Sequence, residues 1–144
     1  MKQLFAILFL LAGFAAAAQP DLSSPEASIR SFFAGFSAHS PDSVAATVTG
    51  DFVLLEEGKV WTMDTLRTVM GQNKGVSYTR ENQLTFYRTE RKGTMAWVYY
   101  DNVAIFSSNG RSQRVHWLES AVLVLAGKRW MVRMLHSTRI VEKR

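Results

Sequence analysis

Cysteine is absent from all 144 residues. That excludes disulfides, a thiolate metal site, a lipid-bearing cysteine and a cysteine nucleophile, and it leaves the hydrophobic core to hold the chain together. Histidine is scarce as well, the 3 in the chain being His39, His116 and His136. They lack helical or hairpin ligand spacing, so no metal site is expected. Basic excess is small: the formal net charge is +5, and Lys and Arg are scattered among acids. Such a distribution reads as a solvated surface, not as a nucleic-acid interface. Ser23, Ser120 and Ser137 stand outside any nucleophile-elbow context, which removes hydrolase chemistry. Repeats, low-complexity tracts and linkers are missing too, and no cofactor is implied.

Long apolar runs are confined to the start. Met1-Lys2-Gln3, the run Leu4 to Phe14 and the small residues Ala15 to Ala18 have the three parts of a secretory signal peptide. The expectation is export to the periplasm or beyond, with residues 1–18 removed and 19–144 forming a single domain. The run is shorter than the roughly 20 residues that span a bilayer, so no lasting membrane anchor is expected.

What the chain does have is apolar and aromatic bulk, 47% and 12% of its residues. Ser24-Pro25-Glu26 supplies a serine cap, a first-turn proline and an acid at the positive helix end. Ile29, Phe32, Phe33 and Phe36 then follow at helical spacing and make one face aromatic. Ser40-Pro41-Asp42 starts a short second helix with Val44, Ala45 and Val48 on its buried side. Thr62 caps a third, bearing Met63, Leu66, Val69 and Met70 and ending near Gly71. Before it, Asp51 to Glu56 and Val60-Trp61 read as strands joined at Glu57-Gly58-Lys59.

The second half reads almost wholly as strand. Tyr78 to Glu90 turns at Arg91-Lys92-Gly93 into Thr94 to Phe106. Asn109-Gly110 favours a tight hairpin, because both residues tolerate positive φ. Two long strands follow, Val115 to Leu125 and Arg129 to Thr138, joined at Gly127-Lys128. Helices first and a meander afterwards indicate an α+β domain with helices on one face of a mainly antiparallel sheet.

Alternation assigns the faces. Met95, Trp97, Tyr99, Asp101 and Val103 share one, opposite Ala96, Val98, Tyr100 and Ala104. Trp117, Glu119 and Ala121 oppose His116 and Leu118. In the last strand Trp130, Val132, Met134, His136 and Thr138 share a face, opposite Met131, Arg133, Leu135 and Ser137. Neither face is simply polar. Helices therefore cover one, and a second copy of the chain is the economical cover for part of the other.

With that order of elements, and the ending Trp130-x-Val132-x-x-x-His136-Ser137-Thr138, the chain resembles the nuclear-transport-factor-2-like superfamily, and more narrowly its SnoaL-like and uncharacterised branch. The resemblance spans roughly Ser23 to Ile140. It implies a cone-shaped fold, a curved sheet wrapped around the first helix, an apolar pocket between them and a homodimer through the outer face of the sheet. Relatives include ketosteroid isomerase, scytalone dehydratase, polyketide cyclases and non-catalytic binding domains, so fold alone does not set activity.

Ketosteroid isomerase takes an oxyanion-hole tyrosine from its first helix. This chain has Phe32, Phe33 and Phe36 there, none of which donates a hydrogen bond. A dehydratase of the scytalone type needs histidines near a carboxylate, and His136 with Glu119 or Asp101 is the candidate acid/base set. The competing reading for Glu119 is a cross-strand pair with Arg133, Arg114 or Arg129. The expected ligand-binding wall is Phe33, Phe36, Trp61, Tyr99, Trp117, Glu119 and His136. Three functions remain open: a binding domain for a small apolar or amphipathic ligand, which leads; a cofactor-free lyase or isomerase; and a dimerisation module whose pocket is filled by its own side chains.

Overall fold

The computed structural model describes residues 19–72 and 77–141. The expected signal peptide, residues 1–18, lies outside them. Elements follow in the order α1 (Pro25–Ser37), α2 (Pro41–Ala45), β1 (Val48–Glu56), β2 (Lys59–Trp61), α3 (Met63–Gln72), β3 (Thr79–Lys92), β4 (Met95–Ser108), β5 (Arg111–Ala126) and β6 (Arg129–Ile140). The strands form one curved sheet in the order β2-β1-β6-β5-β4-β3. Every neighbouring pair is antiparallel except β1 and β6. Val48 starts β1; it does not extend the short helix as its spacing suggested, and α2 stops at Ala45.

Local chemistry explains the framework. Ser24 Oγ accepts from Ala27 N at 3.1 Å and caps α1, with Pro25 in the first turn. The aromatic face of α1 then enters the sheet's concavity. Phe32 lies 5.1 Å from Phe33 and 5.7 Å from Phe52, ring centre to ring centre. Burial of such a ring stabilises the fold by about 2–3 kcal/mol. Across from the helix lie Ala96, Val98 and Tyr100 of β4, Ala121 and Leu123 of β5, and Val132 and Leu135 of β6. Buried Ser28 ties the helix to the sheet by donating to the Trp130 carbonyl at 2.7 Å. Gly35 lets α2 approach: a Cβ there would meet Val44 N at 2.8 Å.

Turns carry the expected chemistry. Asn109 and Gly110 have φ of 50° and 73°, and Glu57 and Gly58 have 49° and 72°, so both hairpins close on left-handed pairs.

Two bulges reset the alternation. Between β5 and β6 the pairing passes from Leu123↔Val132 to Val122↔Met134, which leaves Arg133 as an extra residue. Trp130 and Val132 point into the core before it, and Leu135 and Ser137 do so after it. Between β3 and β4 the pairing passes from Phe86↔Tyr100 to Arg88↔Tyr99, which leaves Tyr87 as the extra residue. Arg133 Nη2 then pairs with Asp51 Oδ2 at 2.7 Å, where β1 has its own irregularity.

On the far face of the sheet Met95, Trp97, Tyr99 and Leu118 are 47%, 39%, 41% and 46% exposed. They stand on adjacent strands and form an apolar patch that none of the described helices covers.

Candidate functional site

A cavity of about 170 Å³ lies between α1, α3 and the concave side of the sheet. Its wall is apolar over most of its extent because α1 and α3 turn aromatic and aliphatic faces toward it. Phe33, Phe36, Trp61, Trp117 and Glu119 border it, as the sequence suggested. Arg80, Glu56, Asn102 and Ser137 supply further polar groups.

Three expected site residues lie elsewhere. Tyr99 is on the outer face, because the inward phase of β4 belongs to Ala96, Val98, Tyr100 and Asn102. His136 is exposed, since the extra residue Arg133 shifts the phase of everything after it and brings Leu135 and Ser137 inward. Asp101 is also outside, where Tyr87 Oη donates to Asp101 Oδ2. His116 Nε2 lies 3.0 Å from Asp101 Oδ1, though off the line of a hydrogen bond. The Tyr87 hydrogen bond, with His116 adding to it, holds Asp101 below the usual carboxyl range. The pairing of His136 with Glu119 or Asp101 is therefore not assembled. Two of the expected cross-strand arginines are engaged elsewhere, for Arg133 is held by Asp51 and Arg129 Nη2 donates to the Ala46 carbonyl at 3.2 Å.

Glu119 instead takes its hydrogen bonds from uncharged side chains. Its Oε1 accepts from Ser137 Oγ at 3.0 Å and from Asn102 Nδ2 at 3.3 Å. Asn102 Oδ1 in turn accepts from Asn82 Nδ2 at 2.7 Å, and Asn82 Oδ1 from Arg80 Nε at 2.9 Å. One chain of hydrogen bonds thus crosses β3, β4, β5 and β6. Glu119 Oε2 and Tyr100 Oη are both buried and lack a completed hydrogen bond. Burial pushes the Glu119 carboxyl up to about 7, and the Glu56 charge adds to the rise. Tyr100, whose hydroxyl is close enough to favour the charged form, opposes it, as do Asn102 and Ser137. Burial also raises Glu56 and lowers Arg80 from their ordinary values.

Such a carboxyl is shared between protonated and ionised forms near neutral pH. It can donate to a ligand oxygen in one form and accept a proton in the other. Tyr100, Asn102 and Ser137 carried a readable signal, namely polar residues in phase with Ala96, Val98 and Leu135. Arg80 and Glu56 had none, because an inward charge on a polar strand looks like any solvated one.

No protein-family model matches the chain, and no curated protein matches it at a significant level. Solved structures do. A ketosteroid isomerase-like protein from Erwinia carotovora atroseptica superposes with a TM-score of 0.66 at 18% identity, over 84% of this chain and 97% of that one. The hub homology domain of CaMKII from Chlamydomonas reinhardtii gives 0.67 at 14% identity, over 76% and 90%. An NTF2-like protein from Cytophaga hutchinsonii gives 0.63 at 11%, over 78% and 93%. This chain has the nuclear-transport-factor-2-like fold.

Within that fold the cavity occupies the space between the first helix and the sheet, and the uncovered apolar patch is the sheet's outer face. At these identities the likeness fixes the architecture, while the chemistry rests on the residues present.

Proposed function

We propose that this chain is an exported, self-associating domain that binds a small apolar or amphipathic ligand in the cavity beneath α1. One observation carries the reading: an apolar cavity holds a buried carboxyl that titrates near neutrality, with one oxygen lacking a partner. Apolar pockets with a few convergent polar groups are where small ligands are held. The volume supports a ligand over a vestigial pocket, since a dry cavity of about 150 Å³ already accommodates a benzene ring. Self-association is supported by the outer patch of Met95, Trp97, Tyr99 and Leu118. Export rests on the leader alone.

Trp61 and Trp117 border the cavity and serve as reporters. Small aromatic ligands should quench their emission in the purified domain, and Trp117→Phe should remove most of the response. Absence of any saturable change across a ligand panel would remove the binding reading.

A second reading is isomerase-like proton transfer with Glu119, not His136, as the acid/base group. The near-neutral carboxyl in an enclosed site favours it. Solvent deuterium should then enter a small cyclic ketone next to its carbonyl, and Glu119→Gln should stop it. Exchange no faster than in buffer leaves binding as the function.

A further inference from the structure

We propose that Arg80 is an anion anchor and that the cavity's ligand is a small monocarboxylate bearing an apolar ring or short chain. The assignment rests on the ligand-binding reading above and names its chemistry. Arg80 is held firmly in the wall. Its Nε donates to Asn82, and its guanidinium carbon lies 4.7 Å from the Phe36 ring centre, 5.3 Å from that of Phe106 and 6.0 Å from that of Phe33. Among the described residues no carboxylate comes within ion-pair distance of it, and its terminal nitrogens have no hydrogen-bond partner. Glu56 and Glu119 attract it only from farther away. A charge taken out of water costs free energy unless it is paired, and the planar guanidinium fork matches a carboxylate with two parallel hydrogen bonds.

Other ligand classes fit less well. A cation would meet Arg80 in a space of about 170 Å³, and a neutral ligand would give the guanidinium no anionic partner at the cavity end. That volume suits a single ring. Arg80 also borders the outer groove between α1 and β3, together with Arg30 and Ser37, so the cationic end of the cavity is the end nearest that groove. Glu119 responds to an incoming anion. The groups facing it are Tyr100 and Asn102 from β4, Ser137 from β6, Glu56 from β1 and Arg80 from β3. Adding a negative ligand to that set favours protonated Glu119, so binding takes up a proton and weakens as pH rises above neutrality.

Calorimetric titration of the full mature chain with benzoate, phenylacetate, benzyl alcohol and benzylamine at low salt tests this. The carboxylates should bind at least tenfold more tightly than the alcohol, and the amine should not bind. Arg80→Met should bring carboxylate and alcohol within about twofold, and Arg80→Lys should keep part of the preference. Titrations in buffers of different ionisation enthalpy should show proton uptake near pH 7, and Glu119→Gln should lose that uptake. If the alcohol binds as well as the acids, or a folded Arg80→Met keeps the preference, the anchor is overturned while the pocket stands. If none of the probes binds, both fall.

Discussion

Tyr100 and Glu119 face each other directly across β4 and β5, and each brings one buried oxygen without a completed hydrogen bond. Burial drives both toward their neutral forms, the Tyr100 hydroxyl well above the usual phenol range and Glu119 to about 7. Proton binding by Glu119 therefore favours the folded state. Stability from this group is complete below the unfolded carboxyl value of about 4.5 and is lost as pH rises through about 7. Glu119→Gln cannot ionise. Urea unfolding should show the variant equal to wild type near pH 4 and more stable by about 3 kcal/mol near pH 8. A variant weaker than wild type at both pH values would mean that the carboxylate is well solvated.

Asn102 joins two neighbours, donating to Glu119 and accepting from Asn82. Asn102→Ala takes one of two donors from the Glu119 oxygen and leaves the part-buried Asn82 amide without its acceptor, and a loss of about 1–3 kcal/mol is expected. Removing a donor from Glu119 should also raise its titration midpoint further. Carbon-detected NMR of the carboxyl in both proteins reads that midpoint directly, and a fall would contradict the network.

The outer apolar patch makes a prediction of its own. If copies meet there, Leu118→Lys combined with Trp97→Glu should shift the particle to monomer mass in sedimentation at micromolar concentration, with the far-ultraviolet spectrum unchanged. Unaltered mass would place any self-contact elsewhere.

Gly35 is predicted to tolerate no side chain. The added methyl of Gly35→Ala would stand 2.7 Å from Val44 Cγ2 and 2.8 Å from Val44 N, and a backbone atom cannot move aside cheaply. Overpacking of this kind costs about 1–3 kcal/mol. A midpoint in thermal unfolding lower by several degrees is the expected readout, while Gly50→Ala, with open space around it, serves as the control.

Much of the framework was legible because it depends on local chemistry. Ser24-Pro25-Glu26 marks α1, Asn109-Gly110 marks a hairpin, and the phase of Phe32, Phe33 and Phe36 marks the buried helix face. The cavity wall was legible for the same reason, since Phe33, Phe36, Trp61, Trp117 and Glu119 follow from helix and strand period. Three residues were not. Tyr99 and Asp101 share one face, as read, but which face of β4 meets the helix depends on packing. His136 was lost to the bulge, because an extra residue such as Arg133 leaves no local trace and can be located only against its partner strand. Arg80 and Glu56 were missed because charge alone does not say whether water or a ring surrounds it.

Phase within β6 is set by a single residue, and that makes the strand a two-position register. With Arg133 in place, one set of side chains, Leu135 and Ser137, meets the cavity and core, while Met134 and His136 look outward. Loss of that one codon would set Met134 opposite Val122 directly after Val132 opposite Leu123, so the ladder with β5 would become regular and Leu135 and Ser137 would keep their inward places. Flattening the bulge with Arg133 retained does the opposite: Arg133 would take the place opposite Val122, every later residue would change face, and an imidazole would meet the cavity in place of a hydroxyl. The step between a binding wall and a histidine-bearing one in this architecture is thus a slip of one residue in register, with the same amino acids in the same order.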